Sequence, residues 1–368
     1  MEQNRNKRPP LWTRDFILVF ISNLLLFFSF YMLIPVLPLY LLDNLNTSGS
    51  LAGLVLALYT ISALCIRPFS GFMVDMFSRK PLYLICYGLF CITFAGYVVG
   101  TTLVLFIILR IIHGLAFGMS TVSGSTVAVD IMASERRGEG IGYFGMAANI
   151  AMASGPVAGL WLHQQFSFDA LFMAAFFSSL VGFFTIIFIK PIKKESVISE
   201  QKQALSFDRF ILVKALPCIG LLFIAGLGYG FILNYMGLYS EMTNYESSAG
   251  IFFIIISIGI ILASILSANI IDKGKIVMLV KIGSIFLILS FGLFAVCNNA
   301  IMLYLVSFLL GIGFGYINPA FQTMLINLAK HNQRGTANAT YFTFWDLGIG
   351  IGTVVGGTVI EKLDFSWM

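Results

Sequence analysis

The sequence predicts an all-α integral membrane protein with eleven spans, and three observations carry that prediction. Hydrophobic residues make up 58% of the 368 and charged residues only 11%. An ordinary soluble domain carries roughly 25% charged residues, so there is too little polar sequence here to coat a soluble core. The apolar residues gather in runs of about 20 or more, the length that crosses a bilayer as a helix. The basic residues fall between those runs, almost all on one side of the count. A cytosolic enzyme, a secreted domain and a disordered chain are all excluded.

In chain order the predicted spans are 16–42, 50–72, 81–99, 102–127, 140–163, 168–190, 211–239, 248–271, 276–297, 300–328 and 336–361. The basic, polar segment Met1 to Arg14 runs into an apolar stretch too long for a signal peptide, with no small-residue cleavage site after it, so it leads a retained first span. Connectors are short and polar except 191–210, which is rich in Lys, Glu, Ser and Gln. That stretch reads as a cytoplasmic linker between an N-terminal six-helix half, 1–190, and a C-terminal half, 211–368, with five complete spans.

A cytoplasmic N-terminus places 19 of the 22 Lys and Arg residues on the inner side, leaving Lys362 outside and Arg67 and Arg110 within spans. The net charge of +5 is thus explained by topology rather than by nucleic acid. The five cysteines (Cys65, Cys86, Cys91, Cys218, Cys297) lie in or beside apolar runs without metal-ligand spacing and read as packing residues. No nucleophile–base set, phosphate loop or metal cluster is present in the pattern, so neither enzyme nor cofactor is expected.

A shift of 197 residues overlays the two halves without a gap: Asp75 falls on Asp272, Gly114 on Gly311, Gly118 on Gly315, Arg137-Gly138 on Arg334-Gly335, and Gly155 on Gly352. The shift spans six helices, an even number, so both copies keep one orientation, as in parallel repeats about an axis along the membrane normal. Phe168 falls on Phe365 and Leu171 on Met368, so the sequence stops where a twelfth helix is expected to begin.

Four motifs stand out. After the second span, Gly71 to Lys80 reads GFMVDMFSRK. Gly71 permits close helix approach, Asp75 can face a helix N-terminus, and Arg79 and Lys80 hold the inner side. The first span carries Pro35 and Pro38, which bend or loosen it. The fifth carries Gly142, Gly155, Pro156 and Gly159, a spacing that lets helices pack closely. The fourth carries Arg110, His113, Gly114 and Gly118. A charge as deep as Arg110 is costly and faces protein or water.

Together these resemble the major facilitator superfamily, and within it the twelve-helix drug:proton antiporters. Met76, Ser78 and Ala151 depart from the family pattern. The resemblance implies two parallel-repeat six-helix bundles around a central cavity, acting as a monomer in a bacterial plasma (inner) membrane. It implies that Gly71, Asp75, Arg79 and Lys80 latch the halves in the outward-facing state. It further implies that the fifth-span glycines accompany export, that Arg110 takes part in proton coupling, and that protons are the coupling ion for a small-molecule substrate.

Only Arg67, Arg110 and Asp346 lie well inside the spans. By elimination Asp346 is the main acidic candidate for carrying a proton. Arg67 stands eight residues before Asp75 and Asp346 twelve after Arg334, roughly 12 and 18 Å above their loops at helical rise. Long side chains bridge that difference, and in the family fold the second and eleventh helices face each other. The expectation is an Arg67–Asp346 ion pair joining the halves; the alternative is that Asp346 hydrogen-bonds locally beside Gly348, Gly350 and Gly352. The repeat partners of the pair, Ser264 and Asn149, are uncharged. Arg110 either couples protons or holds a carbonyl, with His113 on a similar face as a second proton candidate. Asp130 either pairs with Arg79 or is solvated.

For the cavity wall the candidates are Asn23, Phe27, Tyr31, Phe117, Phe231, Asn234, Tyr235, Asn318 and Gln322, an aromatic and amide lining suited to amphipathic molecules of low charge. The leading expectation is proton-coupled efflux of such compounds. Its rivals are a facilitator or importer of a sugar or organic acid with Arg110 on an anionic group, and a non-transporting remnant.

Overall fold

Helices begin where the sequence supplies a cap. Thr13, Thr102, Ser167 and Asn299 each accept a hydrogen bond from the backbone N–H three residues on, satisfying a donor that a helix start leaves bare. Thr102 and Asn299 are partners under the 197-residue shift, so the copies keep the cap and change the residue. The computed structural model describes residues 9–47, 49–100, 102–190, 207–242 and 248–363. Its helices are α1 Arg14–Leu33, α2 Leu37–Asp43, α3 Gly49–Met76, α4 Arg79–Val99, α5 Leu103–Ile131, α6 Arg137–Gln165, α7 Phe168–Ile187, α8 Leu216–Met242, α9 Ser248–Asp272, α10 Ile276–Ala295, α11 Ala300–Leu328 and α12 Arg334–Leu363. No strand occurs among the described residues.

The eleven long helices match the predicted spans within a few residues, except that the first is two pieces. The chain leaves α1 at Leu33, closes a turn through Val36 N–H to Leu33 O at 3.0 Å, and restarts as α2. Pro35 has no N–H to donate and crowds the preceding turn. Pro38 lies in the first turn of α2, where no donor is missed. Ser78, where the family pattern has glycine, sits in ordinary extended backbone before α4 and needs none.

Among the described residues nine helices are long and apolar enough to cross a membrane. The other two long ones, α6 and α12, span 29 and 30 residues but carry glycines and polar side chains that lower their hydropathy. Both are clasped by protein: α6 packs on α1 and α9, α12 on α8 and α3. By contrast, Ile85 and Ile92 of α4 and Ile288 of α10 stand 64–72% exposed on the outer helices, a surface made for acyl chains.

The repeat is visible in the packing. Contacts of α1 with α6, α3 with α5 and α4 with α5 recur as α8 with α12, α9 with α11 and α10 with α11. Helix α7 packs on α1 and α4. The two groups meet chiefly along α3/α12 and its image α9/α6. Small residues set these distances. A Cβ on Gly71 would lie 2.7 Å from Ala339 Cβ and 2.8 Å from Thr336 Cα; one on Gly155 would lie 2.7 Å from Tyr31 Cβ, and one on Gly159 would enter the Met32 backbone. The fifth-span glycines thus dock α6 on α1, while Gly142 faces Ser264 O of α9 at 3.3 Å.

Candidate functional site

At one end of the bundle, carboxylates of one helix group hold helix starts of the other. Asp75, at the end of α3, accepts from Gly335 N (2.8 Å), Thr336 N (2.9 Å) and Thr336 Oγ1 (2.8 Å) at the start of α12. Its repeat partner Asp272 accepts from Gly138 N (3.0 Å) and Glu139 N (3.3 Å) at the start of α6. A carboxylate there meets bare N–H groups and the positive end of the helix dipole. Of the two alternatives for Asp130 the structure has the ion pair with Arg79, and Asp130 also pairs with Arg334 at 2.9 Å, while Arg79 donates to His331 O at 3.2 Å. Arg334 was not singled out from the sequence, though it is the repeat partner of Arg137 and stands next to Gly335.

One member of the expected latch plays another part. Lys80 donates to Ile187 O (2.8 Å) and Ile189 O (2.6 Å), capping the C-terminus of α7 within its own group. Its long stem reaches the carbonyls that a helix end leaves unpaired, where positive charge is favoured. The described part of the predicted linker also contributes: Arg209 lies over Phe72 at 4.8 Å, and its carbonyl oxygen stands 3.0 Å from Thr336 Oγ1, sharing that hydroxyl with Asp75. Residues 191–206 lie outside the described set.

Above this end a layer of buried polar side chains crosses between the groups. Gln322 Nε2 donates to Ser125 Oγ (2.8 Å) and Asn338 Oδ1 (3.0 Å), while Asn338 Nδ2 donates to Thr126 Oγ1 (3.2 Å). Ser125 and Gln322 are repeat partners meeting where the copies face each other.

Over that layer opens a central cavity of about 270 Å³. Of the nine candidates Asn23, Phe27, Tyr31, Phe117, Asn318 and Gln322 line it. Asn23 is also tied by its Nδ2 to Phe144 O at 3.1 Å. Phe231 does not line it: Tyr229 faces the cavity, and two residues on, about 200° around the helix, Phe231 packs into the apolar core. The side chains of Asn234 and Tyr235 lie outside the described set.

Arg67 and Asp346 meet in the cavity wall, Nη2 to Oδ2 at 2.7 Å, with side chains 3% and 19% exposed. Phe342 lies under the guanidinium at 4.8 Å, a cation–π contact. Among the described residues Arg67 Nε and Nη1 are buried without hydrogen-bond partners. The helix pair α3/α12 is therefore joined twice, by the Asp75 cap and by this ion pair. The image pair α9/α6 has its cap, but at the second height it presents Ser264 and Asn149, both lining the cavity.

Arg110 and His113 form a separate cluster behind the wall, and neither lines the cavity. His113 is fully buried among Tyr59, Phe90, Phe94 and Tyr97, with Tyr97 Oη 2.9 Å from its Nδ1. Arg110 lies 4.5 Å from the Tyr59 ring centroid. Tyr59, which sequence reasoning passed over, separates this cluster from the cavity, because its ring lines the cavity on one side and meets the guanidinium on the other.

Two repeat-related helix groups that enclose a polar-floored cavity in a lipid-facing bundle define a membrane transporter, not an enzyme. The sequence matches the Major Facilitator Superfamily over residues 19–353, and the chain belongs to that family. It is 26% identical over 359 residues to the quinolone resistance protein NorA of Staphylococcus aureus strain MSSA476, covering 95% of this chain and 90% of that one. To multidrug resistance protein 1 of Bacillus subtilis strain 168 it is 23% identical over 350 residues, covering 93% and 89%. The fold is shared with the human organic anion transporter MFSD10 (TETRAN), at a TM-score of 0.79 and 18% identity, over 97% of this chain and 95% of that one.

Proposed function

We propose that the protein is a proton-coupled exporter of small amphipathic compounds, working by alternating access in a bacterial plasma membrane, with its N-terminus and the Asp75 end cytoplasmic. The observation that carries this reading is the Arg67–Asp346 pair, a titratable carboxylate in the cavity wall that also bridges the two helix groups. Two bacterial relatives are named for resistance to quinolones and to multiple drugs, which fits removal of drug-like compounds from the cell.

In this mechanism the ion pair and the Asp75 cap together hold α3 on α12, with the cavity closed toward the cytoplasm. A proton arriving from outside neutralises Asp346 and leaves the Arg67 guanidinium without its counter-ion. The α3/α12 seam loosens, the cap breaks, and the cavity turns inward, where Asp346 gives up its proton and substrate enters. Re-pairing with Arg67 closes the seam behind the load. The rival in which Arg110 grips an anionic substrate has less support, since Arg110 lies behind Tyr59 and does not line the cavity.

The test is flux of ethidium, an amphipathic cationic dye, in proteoliposomes under an imposed pH gradient, with Asp346→Asn beside the wild type. Gradient-driven transport by the wild type and its loss in the variant are expected. A variant that keeps full gradient-driven transport would remove Asp346 from the coupling.

A further inference from the structure

The cavity has two walls that the repeat makes images of each other, and they differ in a way packing does not require. Phe342 and Trp345 of α12 line it opposite Gly145 and Ala148 of α6, their partners under the 197-residue shift. Likewise the Arg67–Asp346 pair is answered by Ser264 and Asn149. On the α3/α12 side the space is taken up by protein: Phe342 lies under Arg67, and the Trp345 ring stands 5.4 Å from Tyr229 and 6.1 Å from Phe314. On the α6/α9 side those two positions hold a glycine and an alanine, set between Phe144 and Met152 in the lining.

Gly145 is the telling position. Of the six glycines in α6, the other five would each bring a Cβ within 3.3 Å of a neighbouring atom, so close packing accounts for them. Among the described residues a Cβ on Gly145 would meet nothing within 4 Å. No described neighbour demands a glycine there, and a helix interior is destabilised by one. What its absence of side chain creates is room inside the cavity.

Polar groups elsewhere in the same cavity wall lack partners among the described residues. Asn318, the repeat partner of Thr121, lines the cavity with its Oδ1 buried and without a hydrogen-bond partner among the described residues. A buried acceptor left unpaired is costly, and a donor on a ligand would satisfy it. Tyr59, on α3 across the cavity, also lines it, and its hydroxyl is likewise buried and unpartnered among the described residues. Tyr31 and Phe117 supply aromatic faces nearby.

We propose that the α6/α9 wall is the seat of the substrate's ring system, that Gly145 sets the size of ring system accepted, and that the substrates are planar aromatics bearing an N–H or O–H donor for Asn318. This rests on the efflux reading and adds to it where in the cavity the load sits. The charged α3/α12 wall is then left to the proton, and the neutral wall to the substrate.

The test is equilibrium binding in detergent, without any gradient, to the full chain. The probes are ethidium, whose phenanthridinium carries two amino donors and a phenyl group, its N-alkylated analogue without those donors, and the smaller bicyclic 6-aminoquinoline. Gly145→Phe is expected to weaken ethidium at least tenfold while changing 6-aminoquinoline less than threefold. Asn318→Leu is expected to weaken ethidium about fivefold and its N-alkylated analogue hardly at all. Should Gly145→Phe not elute as a monodisperse protein, Ala148→Trp, one turn along the same wall, carries the same expectation. Equal loss of both ring sizes, or no loss of either, in a well-behaved variant overturns the seat. A wild type that binds none of the probes overturns the efflux reading, and the seat with it.

Discussion

Arg67, buried, and Asp346, half-buried in the cavity wall, form a pair whose members cannot be removed singly without penalty. Deleting one partner of such a pair leaves an uncompensated charge and costs ~3–5 kcal/mol, whereas replacing both together is often close to neutral. The repeat already contains the neutral replacement, Ser264 and Asn149. The double variant Arg67→Ser with Asp346→Asn is therefore expected to melt near the wild type, while Asp346→Asn alone melts lower because Arg67 is stranded. Both are expected to lose gradient-driven flux. Thermal unfolding in detergent beside proteoliposome flux separates the two effects. The pairing was legible in the sequence because helical rise fixes depth, and only three charges lay deep enough to choose from. Phe231 was not legible: α8 is apolar all round, so hydropathy gives its depth but not its rotation. The neutral wall was half legible, since the shift pairs Asn149 with Asp346, but an open glycine looks like a packed one until its neighbours are known.

At the scale of the helix, α6 and α12 give up apolar side chains for close contact and pay for it in hydropathy. Gly159→Leu is expected to destabilise by roughly 1–3 kcal/mol or more, because the Met32 backbone occupies the space. Gly145→Ala, with no described neighbour within 4 Å, is expected to leave the melting temperature unchanged or raise it. The same scale holds the latch. Asp75→Ala removes the acceptor of two N–H groups and a hydroxyl at the start of α12. A lost cap costs ~0.5–2 kcal/mol, and one to two kcal/mol is a factor of roughly 5 to 30 in a two-state population. The fraction of molecules open at the Asp75 end, read from distances between spin labels on α3 and α12, is expected to rise accordingly. No change would show that the cap does not bias the two states. The start of each helix was readable from its capping residue. The break between α1 and α2 was underestimated, because two prolines three apart leave too few donors to carry the helix through.

Across the whole molecule the asymmetry is in what joins the groups. The α3/α12 seam carries the cap, the Asp130 cluster and the ion pair; the α6/α9 seam carries its cap, while Ile276 and Asn327 stand at the repeat positions of Arg79 and Asp130. Tying the groups at the polar layer is expected to arrest turnover but spare binding. In a background without the five native cysteines, Ser125→Cys with Asn338→Cys joined by a short thiol-reactive linker is expected to stop flux, and reductive release to restore it. Continued flux in the linked protein would rule out rocking about this layer. The repeat, the two-group architecture and the family were all legible, because matches at glycines and charges are rare in apolar sequence.

The reciprocal caps also bear on how the chain is made. The Gly138 amide is 134 residues ahead of its acceptor Asp272, and Asp75 is 260 residues ahead of Gly335. At a synthesis rate of about 5–20 residues per second, α6 stands with its first turn uncapped for about 7–27 s before α9 leaves the ribosome. Water at the membrane surface serves those amides in the interval. The N-terminal helices therefore reach their final lock only when the C-terminal ones arrive, and two separately expressed halves carry complementary, unfilled helix starts by which to find each other.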